Sequence, residues 1–324
     1  MRKLLPAMVL LACAAASAAQ KFTANGVEWA YTVVDGGISI GSRINSKAAI
    51  STNTSGELVI PETIDGLPVT EIGDWAFYGC RKLKGVTIPA SVTRIGDSAF
   101  KGCGGLRSMT IPPGVTRIGG AAFKGCRWLA DKNGLVIVNG VVYDSYERTP
   151  SVTIPEGVTA IERDAFENRT GLKSVTIPSS VTRIARAAFS GCKGLADENG
   201  MVIVNGVLYN YYGKEPSVTI PAGVTKIGGG AFHRCTGLTS VTIPESVTNI
   251  EYRAFRGCTG LTSVTIPAGV TAIGWKAFED CSGLTSVTMP SSMTNFVKSA
   301  FWRRGQPLQP TNGMTTVVFK RDGD

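Results

Sequence analysis

His233 is the sole histidine of this chain, and a lone histidine has few partners with which to do chemistry. A nucleophile–histidine–carboxylate relay needs its imidazole oriented by a third group, and a multi-histidine zinc site needs several such rings on one point. His233 follows a phenylalanine, in a place held in equivalent stretches by Tyr78, Lys101, Lys124, Glu167, Ser190, Arg256, Glu279 and Trp302. A place that accepts so many side-chain types faces solvent. Cys80, Cys103, Cys126, Cys192, Cys235, Cys258 and Cys281 each stand three residues after a phenylalanine; Arg169 and Arg304 hold the same place elsewhere. Equivalent cysteines in adjacent coils of a repeat would come near disulfide reach. Their odd number and single regular spacing read instead as a ladder of buried free thiols. A line of sulfurs does not converge tetrahedrally, so no metal site is expected. No catalytic or cofactor-binding residue is expected either, and the chain reads as non-enzymatic.

Two other sets of side chains are suited to contact rather than reaction. Thr87, Thr110, Thr153, Thr176, Thr219, Thr242, Thr265 and Thr288 recur in one row beside serines. Such a row, with Thr242 and Thr265 at its heart, suits a glycan or an extended chain. An exposed strand with no ligand is the preferred reading, because threonine fits that position, pairs well along a ladder, and a uniform row carries little recognition information. Tyr143, Tyr146, Tyr209, Tyr211 and Tyr212 lie where the repeat departs from itself, and aromatics favour contact surfaces. Tyr143 and Tyr209 occupy matching places, so they are as readily packing residues.

The elements that must position these groups are set by Phe77, Phe100, Phe123, Phe166, Phe189, Phe232, Phe255, Phe278 and Phe301. Neighbours are 23 residues apart, except for two gaps of 43. A fixed period of this size marks a solenoid of stacked supersecondary units. Leu83, Val86 and Ile88 follow the spacing of leucine-rich repeats, with Val86 and Ile88 inward and Thr87 outward. Pro89 ends the strand because it cannot donate the next ladder bond. Val92 and Ile95 suggest a second short extended segment, and Asp97 or Ser98 is placed to cap a single helical turn burying Ala99 and Phe100. Gly102 allows a left-handed exit to Leu106.

The two long gaps are themselves a repeat, residues 129–149 matching 195–215. Asn139-Gly140 and Asn205-Gly206, between β-branched runs, predict two-residue hairpins projecting from the side of the solenoid. Residues 20–57 do not match the repeat; Val27 to Ile40 around Asp35-Gly36-Gly37 reads as a β-hairpin that caps one end. The solenoid spans 58–304, and 305–324 reads as a closing strand and tail with Lys320 in the place of the proline.

Residues 1–19 read as an export signal. Arg2 and Lys3 precede the apolar stretch Leu4 to Ala16, and Ser17-Ala18-Ala19 offers a small-residue cleavage site before Gln20. Leu10-Leu11-Ala12-Cys13 offers a rival lipoprotein reading, but Leu11 is bulky for that site and plain cleavage is preferred. No window is long and apolar enough for a membrane helix. The formal charge is +9, or +7 without Arg2 and Lys3, and it is scattered through the repeats. Nucleic-acid binding would want a basic stripe with a recognisable reader, and neither is present.

The recurring Ser-Val-Thr-Ile-Pro and Ala-Phe-x-Gly-Cys, with insertions of the Asn-Gly-Val-Leu-Tyr type, resemble the BspA-like leucine-rich-repeat family of bacterial secreted and surface proteins over residues 58–320. The resemblance implies an extracellular, non-catalytic binding or adhesion role and carries no functional residue across, because the shared motif is structural. The combined expectation is a right-handed leucine-rich-repeat solenoid with a parallel β ladder, short helical turns and two hairpin insertions. It would be secreted, periplasmic or held at the cell surface, would need no cofactor, and would bind a protein partner, or alternatively carbohydrate or cell wall.

Overall fold

In the computed structural model the described residues are 19–41, 47–146, 149–290, 297–303, 306–307 and 316–318. The expected export segment, 1–19, lies outside them apart from its last residue, as does most of the closing tail.

One coil shows why the sequence folds as it does. Strand Leu83–Thr87 buries Leu83 and Val86 and exposes Thr87, and the Pro89 carbonyl accepts the Val92 N–H at 3.1 Å to turn the chain. A two-residue strand, Arg94–Ile95, follows, and then a turn that fully buries Ala99, Phe100 and Cys103. Each segment meets its equivalent 23 residues on. Val86 pairs with Met109 and Ile95 with Ile118 in parallel register, burying in stacked coils what one coil could not.

The expected helical turn is not formed. Ser98 has a φ of +55° and Gly102 of +79°, and left-handed residues at this spacing cannot propagate a right-handed helix. Alternate amides of the turn donate to the next coil instead. Phe77 N–H reaches the Ala99 carbonyl at 2.7 Å, and Phe100 N–H the Ala122 carbonyl at 2.9 Å. Asp97 caps its neighbour rather than its own turn: its Oδ1 accepts the Gly120 N–H at 2.9 Å, as Asp74 Oδ1 accepts that of Asp97 at 2.8 Å. This third ladder stacks the phenylalanines face to face, because the strand spacing and a comfortable ring separation nearly coincide. Phe77 and Phe100 lie 4.9 Å apart, and Phe255 and Phe278 4.9 Å apart within 3° of parallel.

The cysteines run alongside as free thiols. Cys103 Sγ donates to the Phe77 carbonyl at 3.0 Å, and Cys281 Sγ to that of Phe255 at 3.0 Å. Burial pushes the Cys80 and Cys192 thiols up to about 11 and Cys126 to about 12.

The chain forms two compact units. The first takes in residues to 147 with 153–165 and 177–185; the second takes in 148–152, 166–176 and 186 onward. The first unit opens on three antiparallel strands, Gln20–Ala24, Val27–Val34 and Gly37–Ile40, one more than the expected hairpin. The third then pairs in parallel with Leu67–Ile72, joining this meander to the repeat ladder. In the second unit Ser263–Thr265 pairs in parallel with Ser286–Thr288, which is closed from the other side by Thr316–Val318 running antiparallel.

Each unit carries one insertion, and each is a hairpin: Leu135–Val138 with Val141–Ser145, and Met201–Val204 with Val207–Tyr211. Asn139 and Gly140 have φ of +47° and +71°, and Asn205 and Gly206 +48° and +72°, as a two-residue turn between twisted strands requires. The hairpins do not project sideways as the sequence reading expected. Val142 pairs in parallel with Ile161, and Leu208 with Ile227, so each hairpin takes a place in the coil ladder. Their β-branched runs explain this, because Val136, Val142 and Val202 are fully buried.

Candidate functional site

In the second unit a cleft of about 870 Å³ lies between the hairpin and the strand Ser217–Thr219. One wall is the loop Asp197–Gly200. Asp197 Oδ1 accepts the N–H groups of Asn199 at 3.0 Å and Met201 at 2.8 Å, an Asx turn that fixes the loop. The other wall is Tyr211 to Glu215. Tyr212 N–H donates to the Gly200 carbonyl at 2.7 Å and ties the two walls together at one end. Gly213 passes directly over Tyr211, where a Cβ would meet the hydroxyl at 2.4 Å. Lys193 and Lys214 face Asp197, Glu198 and Glu215 around the cleft, so it carries both signs of charge.

Strand Ser217–Thr219 pairs on one side only. Val218 and its even-numbered neighbours face the strand Ser240–Thr242: the Pro216 carbonyl accepts Ser240 N–H at 3.1 Å, and Ile220 N–H reaches the Thr242 carbonyl at 3.0 Å. Backbone alternation therefore turns the N–H and C=O of Ser217 and Thr219 toward the opposite edge. Among the described residues that edge has no strand partner, and it lines the cleft.

The tyrosines singled out from the sequence take different places. Tyr143 is 2 % exposed and sets its edge on Phe123 at 5.2 Å; Tyr209 is 3 % exposed and does the same on Phe189 at 5.5 Å. Each thus covers the phenylalanine column where a hairpin interrupts it. Tyr146 is half-buried, its hydroxyl donating to Asp144 Oδ2 at 2.7 Å. Tyr211 is buried against Phe232 at 5.2 Å, and Tyr212 is half-buried; both line the cleft, and burial raises both hydroxyl pKa values. Thr242 and Thr265 are exposed, and no hydrogen bond engages either hydroxyl among the described residues. The serines beside the row bond one another instead, Ser240 Oγ to Ser217 Oγ at 2.8 Å.

His233 is exposed, and partial burial with Arg234, Arg256 and Arg253 nearby holds it below its ordinary pKa. Among the described residues no group of three or more histidine, cysteine or acidic side chains is placed to hold a metal ion, and no helix is long and apolar enough to cross a membrane.

The sequence reading passed over the tryptophans. Trp128 and Trp275 are 53 % and 50 % exposed, and Trp275 stacks on Tyr252 at 5.8 Å. Both stand where the repeat elsewhere has other residue types, which was the available signal.

Parallel ladders at a 23-residue period, with one leucine, one phenylalanine and one thiol column per coil, define a leucine-rich-repeat β-solenoid. The family model described as BspA type leucine rich repeat region, in six copies, matches residues 44–133, 70–196 and 203–312, and the chain belongs to that family. Similar solved structures include a leucine rich cell surface protein from Faecalibacterium prausnitzii, 25 % identical over 92 % of this chain and 99 % of that one, with a TM-score of 0.37. A leucine-rich repeat protein from Bacteroides ovatus is 20 % identical over 87 % of this chain and 99 % of its own, with a TM-score of 0.34. The pneumococcal vaccine antigen PcpA is 16 % identical over 85 % and 83 %, with a TM-score of 0.35. No curated protein matches the chain.

Proposed function

We propose that this is an exported, non-enzymatic binding or adhesion protein that takes an extended segment of a protein partner along the edge of Ser217–Thr219. The observation that carries this reading is the one-sided pairing of that strand inside a walled cleft. An unpaired strand edge offers main-chain donors and acceptors in register, and an added strand satisfies them while side pockets supply specificity. Tyr211 and Tyr212 give the cleft its apolar wall, and the mixed charges around its rim suit a peptide bearing both signs. A rigid coil stack holds the edge ready, which lowers the ordering cost of binding. The BspA-type family membership and the surface-protein description of the Faecalibacterium structure agree with a role outside the cell.

Thr219→Pro tests this reading. The substitution removes an outward N–H and leaves the Val218 bonds to Ser240–Thr242 in place. Peptides selected by the wild-type chain from a random displayed library should lose binding to Thr219→Pro, and the amides of Ser217 and Thr219 should gain protection from hydrogen exchange on binding. Selected peptides indifferent to the substitution would sink the edge as the site.

A second reading, a carbohydrate-binding face, is favoured by the free, solvent-facing hydroxyls of Thr242 and Thr265. Glycan capture abolished by Thr242→Val with Thr265→Val, but indifferent to Thr219→Pro, would support it.

A further inference from the structure

The residue just before the repeat leucine is glycine in most coils, and at Gly105, Gly194, Gly260 and Gly283 the packing says why. A Cβ on Gly105 would meet the Arg81 carbonyl oxygen at 2.3 Å, one on Gly260 the Thr236 oxygen at 2.5 Å, and one on Gly283 the Thr259 oxygen at 2.3 Å. Gly194, at the start of the second hairpin, is hemmed in the same way by the Leu172 oxygen at 2.3 Å. At the matching start of the first hairpin the chain places Trp128. A large residue in a slot that is mostly glycine is left 53 % exposed.

Its surroundings are equally unlike the rest of the chain. The Arg107 guanidinium lies 5.1 Å from the Trp128 ring centroid and that of Arg127 5.5 Å. Arg81 and Lys84 join Arg127 and Trp128 in the wall of a cleft of about 490 Å³ whose remaining lining is four glycines; Arg107 is outside that lining and adjoins it through the indole. No carboxylate lines the cleft, and among the described residues none of the four cations makes an ion pair. The second hairpin has Lys193-Gly194 where the first has Arg127-Trp128, and the cleft beside it carries three acids, Asp197, Glu198 and Glu215.

We propose that Trp128, Arg107, Arg127, Arg81 and Lys84 form a binding site for a carboxylate-bearing sugar, such as a uronic acid unit of an acidic polysaccharide. The half-exposed indole offers apolar surface to the C–H side of a pyranose ring beside the guanidiniums that lie over it, and side-chain-free glycines let the ring come close to the floor. Unpaired guanidiniums offer forked donors that match a carboxylate. An apolar pocket, which a protein's anchoring side chain would fill, is missing from the lining. The site lies in the first unit and is independent of the strand edge at Ser217–Thr219.

The test is binding of the full chain to immobilised polygalacturonate, with its methyl ester, heparin and polyglutamate in parallel. Trp128→Gly restores the residue the repeat prefers, so its thermal melt should match or exceed the wild type. The chain should bind polygalacturonate and not the ester, more weakly as salt rises. Trp128→Gly and the Arg107→Ala, Arg127→Ala pair should each lose about tenfold or more in affinity, a change of about 1.4 kcal/mol. Lys47→Ala with Lys173→Ala, an equal loss of charge on exposed positions elsewhere, should bind as wild type. Equal binding of the ester, an unaffected Trp128→Gly, or retention of heparin or polyglutamate as tightly and without need of Trp128 would each overturn the proposal.

Discussion

The side chain of Asn210 accepts the backbone N–H of Gly191 at 2.8 Å, and Asp144 Oδ2 accepts that of Gly125 at the same distance. In uninterrupted coils this N–H reaches the next coil, as Gly79 N–H reaches the Lys101 carbonyl at 2.9 Å. Each hairpin therefore brings a side-chain acceptor to a donor that its own insertion has deprived of a partner.

Asn210→Ala should destabilise the chain by about 1 kcal/mol, the cost of a half-buried donor left without its protein acceptor. Asp144→Ala should cost at least as much, because it also strands the Tyr146 hydroxyl. Asp144→Asn keeps the acceptor and should cost the least of the three. Urea unfolding of the set checks the order, and equal midpoints for Asn210→Ala and wild type would remove the capping role.

Two glycines in the same repeat slot should respond in opposite directions. A Cβ at Gly283 meets the Thr259 carbonyl oxygen at 2.3 Å, whereas at Gly237 nothing lies within 4 Å. Gly283→Ala should cost about 1–3 kcal/mol through backbone displacement. Gly237→Ala should be neutral or stabilise by about 0.4–1 kcal/mol, because alanine leaves the unfolded chain less freedom to lose. Melting temperatures that fall alike in both variants would count against the close-approach account.

The thiol column makes stability depend on alkaline pH. Burial raises Cys80 and Cys192 from an ordinary value near 9 to about 11 and Cys126 to about 12. Between those values the unfolded chain has released protons that the folded chain still holds, so unfolding is favoured as pH rises. Stability should be level below about pH 9 and then fall by up to about 1.4 kcal/mol per pH unit for each such thiol. Denaturant titrations at pH 8, 9 and 10 check the slope. At neutral pH a thiol reagent should label these positions only after denaturant is added.

Phe255 is stacked on both sides, 4.8 Å from Phe232 and 4.9 Å from Phe278. Phe255→Ala should cost about 3–5 kcal/mol, since a rigid column on both sides limits collapse into the void. Calorimetry should show the loss as a lowered transition. An unchanged transition would mean that the column is not a principal support.

Much of this was legible in the sequence because a repeat states each structural requirement many times. The places of Leu83, Val86, Ile88 and Phe100, the solvent-facing Thr87 and the Asn-Gly turns follow from period and residue type alone. The helical turn around Ala99 and Phe100 was misread because helix signals are local. Ser98 is left-handed here for the sake of amide bonds to a coil 23 residues away. The hairpins were misplaced for a related reason: turn chemistry announces two paired strands but not the third that one of them will join.

The binding surfaces divide along the same line. The sequence by itself determined the repeat, its columns and the positions where the chain departs from them, since side-chain volume, polarity and turn chemistry are properties of residues in order. It could not separate Tyr143 and Tyr209, which cover phenylalanines, from Tyr211 and Tyr212, which wall a cleft. It left Trp128 unremarked beside cations remote in the chain. Only the tertiary structure decided those matters. The free edge of a strand, the partner of a ring and the absence of a neutralising acid are relations among residues that stacking brings together.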